Sequence, residues 1–184
     1  MSDRIEFRFS GSGGQGLILA GIILADAAAI YENKNAIQTQ SYGPEARGGS
    51  SKSEVIISDD PIEYPKATKV DYMVSLTQES FNKYIDDVKD GGIVIADKEL
   101  VTDLSKAKGK LYMIDMVKSA REELGKLLGL NIIALGVLVE LSGIVSHDSI
   151  EQALMKRVPK GFEDYNRKAL EIGFRLGKEI KNNK

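Results

Sequence analysis

The sequence predicts one α/β domain over residues 1–184, with a largely parallel, twisted sheet flanked by helices and a helical C-terminal third. Three observations lead to this fold class. The chain opens with an alternating strand pattern, a glycine-rich turn and an apolar helix; strand and helix patterns then alternate over the first two thirds; after residue 114 the patterns are helical. Such alternation is typical of a parallel sheet with helices on both faces.

The individual elements follow from the spacing of apolar residues and from the turn residues between them. Strands are predicted over 5–9, 36–40, 53–58, 70–76, 93–96 and 111–114. Helices are predicted over 17–31, 78–88, 116–125, 131–141 and 150–155, with a long amphipathic helix from residue 161 onward. Asp90-Gly91-Gly92 is predicted as a turn. Asp148, three residues before Glu151, resembles a capping box and predicts a helix start at that point.

Composition excludes several classes of protein. The net charge is -2 with both signs spread along the chain, which gives no basic footprint for nucleic acid. There is no cysteine, so the chain has neither a disulfide framework nor the thiolates of an ordinary iron–sulfur cluster, and its one histidine, His147, cannot build a zinc site alone. The start of the chain lacks a signal-peptide pattern, and the apolar run 17–30 contains Asp26 and is too short to cross a bilayer. We therefore expect a cytoplasmic protein without a membrane partner.

The glycine-rich turn is the first candidate site. Gly11, Gly13 and Gly16 give the spacing G-x-G-x-x-G between a predicted strand and a predicted helix. Glycines allow close approach of a ligand to the backbone, and a helix N-terminus offers free N–H groups to an anion. Dinucleotide binding would also need an acidic residue near the end of the second strand, where the sequence has residues 38–40, Gln-Thr-Gln. Two other interpretations stay open: tight strand–helix packing without a ligand, and an anion or cofactor site shared with a partner chain.

The second candidate is the loop over residues 42–51. Arg47 lies among glycines next to Gly48, and Lys52 follows shortly afterwards. The planar guanidinium of an arginine suits phosphate or carboxylate, whereas the alternative is an ordered surface turn with a solvated arginine. His147 is expected to be a residue of a helix-capping region, and Asp26, inside an apolar helix, is expected to meet a hydrogen-bond donor or a subunit partner.

Two stretches make the chain similar to a known family. Residues 11–21, beginning Gly-Ser-Gly-Gly-Gln-Gly, resemble the start of the gamma subunits of 2-oxoacid:ferredoxin oxidoreductases, and residues 40–49, Gln-Ser-Tyr-Gly-Pro-Glu-Ala-Arg-Gly-Gly, resemble the family's second hallmark. The similarity continues at least through residue 100. The form of the second stretch resembles that of the 2-oxoglutarate enzymes more than that of the pyruvate enzymes, so 2-oxoglutarate is the expected substrate.

The resemblance implies a division of labour. Such enzymes decarboxylate a 2-oxoacid on thiamine diphosphate with Mg²⁺, pass electrons through iron–sulfur clusters to ferredoxin, and transfer the acyl group to coenzyme A. This sequence has no cysteine and lacks the Gly-Asp-Gly motif of a thiamine diphosphate site, so alpha, beta and delta subunits are expected to carry out the decarboxylation and the electron transfer. The chain alone is expected to hold no cofactor, catalytic residue or metal and to be inactive. Its own role is expected to be assembly and part of the coenzyme A site. The residues expected at that site are Gly11, Gly13, Gly14, Gln15, Gly16, Arg47, Gly48 and Lys52.

Two further expectations complete the sequence analysis. The competing function is a stand-alone, Rossmann-like, nucleotide-binding oxidoreductase. The apolar first helix and the segment 130–141 are expected to provide a partner interface, through which the isolated chain would form a homodimer.

Overall fold

A computed structural model of the chain describes residues 4–43 and 49–183. The strands are β1 (Ile5–Ser12), β2 (Asn35–Ser41), β3 (Ser50–Ser58), β4 (Val70–Ser75), β5 (Val88–Asp97) and β6 (Lys110–Ile114). The helices are α1 (Leu17–Asp26, continued by a π-helical turn, Ala27–Tyr31), α2 (Gln78–Tyr84, continued by a 3₁₀ turn, Ile85–Asp87), α3 (Met116–Ser119, continued by a π-helical turn, Ala120–Leu124), α4 (Leu130–Ser142), α5 (His147–Arg157) and α6 (Glu163–Asn182).

The described strands form one sheet in the order β2-β3-β1-β4-β5-β6. β1, β4, β5 and β6 pair in parallel, whereas β3 pairs antiparallel with both β1 and β2. β3 is therefore the one described strand that runs against the others, and the predicted single α/β domain with a largely parallel sheet is confirmed. The carboxyl ends of β1, β4, β5 and β6 meet at one edge of the sheet, where ligand sites of open α/β sheets are found.

The two faces of the sheet are covered unequally. The larger core lies between the sheet and the group of α1, α4, α5 and α6, and it includes Phe7, Phe9 and most of α4. The smaller core lies under α2, around Phe81 and Met73. α4 and α6 cross closely at Gly136 and Gly173: a Cβ added to Gly173 would lie 2.2 Å from the carbonyl oxygen of Ile133.

Several predicted boundaries were wrong, for local reasons. The helix predicted over 78–88 leaves its α-helical form after Tyr84, and Val88 already belongs to β5. The predicted turn at Asp90–Gly92 is part of β5, because the pairing with β4 is irregular there and lets the strand continue. The cap of α5 is Ser146, whose hydroxyl accepts from the N–H of Ser149 at 3.1 Å, and not Asp148.

Of the two segments predicted to form a partner interface, α4 is not available, and the interface on α1 stays a prediction. α4 is buried along nearly its whole length, whereas α1 leaves Ile18 and Ile22 half-buried and Ile30, in its π-helical turn, 60% exposed. α4 is hydrophobic because it lies inside the core and offers no free apolar face, whereas α1 keeps a partly exposed one. Asp26 finds its partner within the chain: its Oδ2 lies 2.7 Å from Nε of Arg157 on α5.

Candidate functional site: the glycine turn and its groove

The glycine turn lies at the carboxyl edge of the sheet, between the end of β1 and the start of α1. Its shape depends on the side chain of Gln15. Oε1 of Gln15 accepts from the N–H of Ser12 at 2.8 Å, and Nε2 donates to the carbonyl oxygen of Leu76 at 3.1 Å. A Cβ at Gly11 would lie 2.2 Å from Oε1 of Gln15, so this position needs glycine for the amide to fold back. Gln15 therefore ties the turn to the end of β4, and both ends of its amide are occupied within the chain.

The last glycine of the turn is held from the other side by α4. Nδ2 of Asn131 donates to the carbonyl oxygen of Gly16 at 3.0 Å, and Asn131 is only 6% exposed. Gly16 has a left-handed backbone (φ 73°), and a Cβ there would lie 2.4 Å from Nδ2 of Asn131. Both the backbone conformation and the close approach require glycine. Asn131 was missed as a site residue, although a lone polar residue in the first turn of an apolar helix was a usable signal.

The turn forms one wall of a groove of about 500 Å³. The other walls are mostly apolar. They are formed by the start of α1, by Leu100 and Val117, by the residues just before α4, and by the segment between α5 and α6. The lining residues are Gly14, Gln15, Gly16, Leu19, Leu100, Val117, Leu127, Leu128, Leu130, Asn131, Val158, Pro159, Phe162 and Asn166. Leu128 is 69% exposed and Phe162 is 46% exposed, so the rim of the groove is an apolar surface open to solvent.

Backbone donors are available in this groove. The N–H groups of Gly14 and Gly16 donate to no other part of the described chain. The N–H groups in the first turn of α1 also point toward this end of the helix, where the helix dipole is positive. Within the described residues, Oδ1 of Asn131 accepts no hydrogen bond. The groove thus combines donors for an anion, an amide acceptor and an apolar wall.

The buried carboxylate of Asp97 supports one wall of the groove. Asp97, at the end of β5, is fully buried. Its Oδ1 accepts from the N–H groups of Glu99 and Leu100, and its Oδ2 accepts from the N–H of Val117 at 2.8 Å. Because Leu100 and Val117 both line the groove, Asp97 fixes two of its apolar residues.

Lys52, predicted for the same site, is held elsewhere. Its Nζ lies 2.8 Å from Oε1 of Glu54 and 5.6 Å from the ring centroid of Tyr84, on the α2 face of the sheet. The fully buried Arg8 shares that carboxylate through its Nε at 2.9 Å. Lys52 therefore belongs to a charge network on the face opposite α1. It does not line the groove.

Arg47 and Gly48 lie outside the described residues, and their place in the site stays a prediction. The ends of the loop that carries them are described. Ser50 pairs with Ser12, the last residue of β1, and the N–H of Gly13 donates to the carbonyl oxygen of Gly49 at 3.4 Å. The C-terminal end of the loop therefore lies beside the glycine turn.

His147 has a structural environment at the surface. Its ring stacks on Phe174 with a centroid distance of 3.7 Å, and its Nε2 lies 2.7 Å from Oε2 of Glu140. Burial alone would raise the pKa of Glu140, but hydrogen bonds from Lys181 and His147 outweigh burial and lower it. Residues 4–43 and 49–183 contain no group of three His, Asp or Glu side chains placed to hold a metal ion.

Fold and site together define an α/β protein with a donor-rich glycine turn facing an apolar groove. The chain belongs to the pyruvate ferredoxin/flavodoxin oxidoreductase family, whose model matches residues 6–176. It is 51% identical to the 2-oxoglutarate synthase subunit KorC of Methanocaldococcus jannaschii, over 96% of each chain. It is 39% identical to the KorC subunit of Archaeoglobus fulgidus, over 98% of this chain and 91% of that one. The predicted family resemblance is confirmed.

Solved structures give the same result. The gamma subunit of the keto/oxoacid ferredoxin oxidoreductase of Geobacter sulfurreducens superposes with a TM-score of 0.88 at 47% identity, over 96% of this chain and 97% of that one. The 2-oxoglutarate:ferredoxin oxidoreductase of Magnetococcus marinus shares the fold, with a TM-score of 0.85 at 22% identity, and this chain covers 31% of its length. These matches do not favour the alternative of a stand-alone Rossmann-like enzyme. No helix among the described residues is long and apolar enough to span a bilayer.

Proposed function

We propose that this chain is the gamma subunit of a multisubunit 2-oxoacid:ferredoxin oxidoreductase that acts on 2-oxoglutarate. The observation that carries the proposal is the 51% identity to a 2-oxoglutarate synthase subunit over nearly the full length of both chains. The complex would convert 2-oxoglutarate and coenzyme A to succinyl-coenzyme A and CO₂, with the electrons passing to ferredoxin in the cytoplasm.

Alpha, beta and delta subunits would supply the redox chemistry. Without cysteine, this chain offers no thiolate to an iron–sulfur cluster, so its residues do not fit that group. Thiamine diphosphate and Mg²⁺ would likewise be held by partner chains. The tasks left to this subunit are assembly and a share of the coenzyme A site.

The groove supports a role in binding coenzyme A. The N–H groups of Gly14 and Gly16, which have no acceptor among the described residues, suit a phosphate oxygen, because such donors at a helix N-terminus stabilise negative charge. The apolar walls suit the pantetheine arm of coenzyme A, and Oδ1 of Asn131 can accept from one of its amide N–H groups. Arg47 would add a bidentate phosphate contact. Lys52, paired with Glu54 on the opposite face of the sheet, has no part in this proposed contact.

The first experiment tests the subunit assignment. The chain is expressed with the products of its neighbouring reading frames, and the purified complex is assayed for coenzyme A-dependent reduction of ferredoxin with 2-oxoglutarate, pyruvate or 2-oxoisovalerate. We expect this chain to co-purify stoichiometrically and 2-oxoglutarate to give the highest kcat/KM. A complex that assembles without the chain and keeps full activity would refute the proposal.

The second experiment tests the coenzyme A contact in the same complex. Arg47→Ala should raise the KM for coenzyme A about tenfold or more, since a lost charge-assisted hydrogen bond costs about 1.5–3 kcal/mol, and should leave the KM for 2-oxoglutarate unchanged. Arg175→Ala, which removes an exposed arginine paired with Glu179 on α6, is the control. An unchanged KM for coenzyme A in Arg47→Ala would make Arg47 a structural residue and leave the subunit assignment intact.

A further inference from the structure

β2 forms one edge of the sheet, and within its own residues it carries neither the charges nor the proline that usually protect an edge strand. Its sequence, Asn-Ala-Ile-Gln-Thr-Gln-Ser over Asn35–Ser41, has no charge and no proline, and it pairs with β3 in an uninterrupted register. No described strand pairs with its outer side. Proteins usually protect such edges with charges, proline or bulges, because free N–H and C=O groups otherwise recruit another strand.

The opposite edge of the same sheet shows the usual protection. β6 has only five residues and begins with Lys110, and the segment before it carries Lys106 and Lys108, all exposed. The two edges of one sheet thus differ: one is a five-residue strand with lysines at its start and just before it, and the other is a seven-residue, uncharged strand.

We propose that β2 pairs antiparallel with β2 of a second copy of this chain, about a two-fold axis at Gln38, so that two sheets join into one. In this register the half-buried Ile37 faces the partner's Thr39, and Ala36 faces the partner's Gln40. Residues directly opposite in an antiparallel pair lie on the same face with their Cβ atoms roughly 5 Å apart. Each contact occurs twice, as a two-fold interface requires.

The residues that flank β2 favour a second copy over an unrelated strand. The same register places Lys34 opposite the partner's Tyr42, one position beyond each end of the strand. Tyr42 is 64% exposed in the single chain, which is unusual for a large aromatic side chain. A lysine beside an exposed tyrosine ring gains a cation–π contact and packs its stem on the ring. No pair of like charges is created along the strand, because β2 carries none.

This inference needs neither a ligand nor another subunit, so it stands or falls independently of the proposed function. The first test is the molar mass of the isolated full-length chain by size-exclusion chromatography with light scattering. We expect twice the monomer mass for the native sequence. Thr39→Lys places two like charges beside the axis and should halve the mass, with the far-UV circular dichroism melt showing that the monomer stays folded. Leu104→Lys, at an exposed apolar residue outside the β2 edge, should leave the dimer intact.

A second test does not depend on weakening the interface. Because the chain has no cysteine, Thr39→Cys gives a single thiol near the axis, and Ser105→Cys gives a matched exposed thiol near the other edge. A short bis-maleimide should cross-link Thr39→Cys to a covalent dimer and leave Ser105→Cys monomeric. A native chain that is monomeric at all concentrations overturns the proposal. So does a chain whose Thr39→Lys variant keeps the mass of the dimer and whose Thr39→Cys variant does not cross-link. A monomeric native chain whose Thr39→Lys variant no longer enters the multisubunit complex also overturns it, in favour of a strand from another chain.

Discussion

Replacing Asn131 by aspartate tests whether the glycine turn depends on α4. The substitution keeps the shape of the side chain but replaces the Nδ2 donor with an oxygen, opposite the carbonyl oxygen of Gly16. Loss of a buried hydrogen bond, with the acceptor left unsatisfied, costs about 1–3 kcal/mol, and desolvation of the new carboxylate adds to this cost. The N-terminus of α4 offsets about 0.5–1 kcal/mol, because a negative charge in the first helical turn is favourable. The unfavourable effects are larger, so we expect a net loss of about 2 kcal/mol at neutral pH.

The pH dependence of this loss has a definite sign. Burial and the facing carbonyl oxygen disfavour the ionised carboxyl, so its pKa in the folded variant is higher than in the unfolded chain. A protonated carboxyl can donate to the carbonyl oxygen of Gly16 and restore the bond. A group with a raised folded pKa stabilises the folded state fully at low pH and loses that contribution as the pH rises through the folded pKa. The stability deficit of Asn131→Asp should therefore shrink on acidification.

The measurement is urea unfolding followed by circular dichroism, at neutral pH and at about pH 4.5, just above the ordinary carboxyl pKa. Asn166→Asp is a matched control. Nδ2 of Asn166, in the first turns of α6, donates to the backbone carbonyl oxygen of Phe162 at 2.9 Å, but Asn166 is more exposed to solvent than Asn131. We expect the control to lose less than 1 kcal/mol with little dependence on pH. Equal losses in the two variants would show that Asn131 is not a buried link between α4 and the turn.

Two further predictions concern stability. Gly173→Ala should lower the free energy of unfolding by about 1–3 kcal/mol, because its Cβ would overlap the carbonyl oxygen of Ile133. The control Glu171→Ala, at an exposed position of α6, should change it little. A stabilised Gly173→Ala chain would contradict the close helix crossing. Glu32→Gln should reduce the acid sensitivity of unfolding. The N–H of Ser146 donates to the Glu32 carboxylate and lowers its pKa, so this carboxylate stabilises the folded state until the pH falls through its folded pKa. An unchanged pH profile of unfolding would contradict this prediction.

The sequence contained enough information for the fold class because its patterns are local. An alternating strand, a glycine turn and an apolar helix at the start each depend on neighbours a few residues away, and the structure has all three in place. The direction of β3 could not be obtained in the same way, because Val55, Ile56 and Ile57 indicate a buried strand whether it runs parallel or antiparallel. Only its partners β1 and β2 determine its direction.

The site was predictable only in part. The glycine spacing located the turn, but the functions of its residues depend on contacts that are distant in sequence. Gln15 was expected to contact a ligand, whereas its amide is engaged with Ser12 and Leu76. Asn131 lies 115 residues from its partner Gly16, so no local pattern could pair them. The apolar rim at Leu128 is likewise formed by the packing of the last third against the turn.

These long-range contacts explain why the turn can serve as a preformed site. Gln15 ties it to β4 and Asn131 ties it to α4, so the chain itself fixes its backbone, and the N–H groups of Gly14 and Gly16 are left without a partner in the described chain. A ligand or partner that binds there has little backbone to order, and a smaller ordering cost leaves more of the contact energy as affinity. In the proposed site, the side chains of Gln15 and Asn131 would thus contribute to binding by positioning donors. The helical last third provides one of these two anchors and most of the apolar wall.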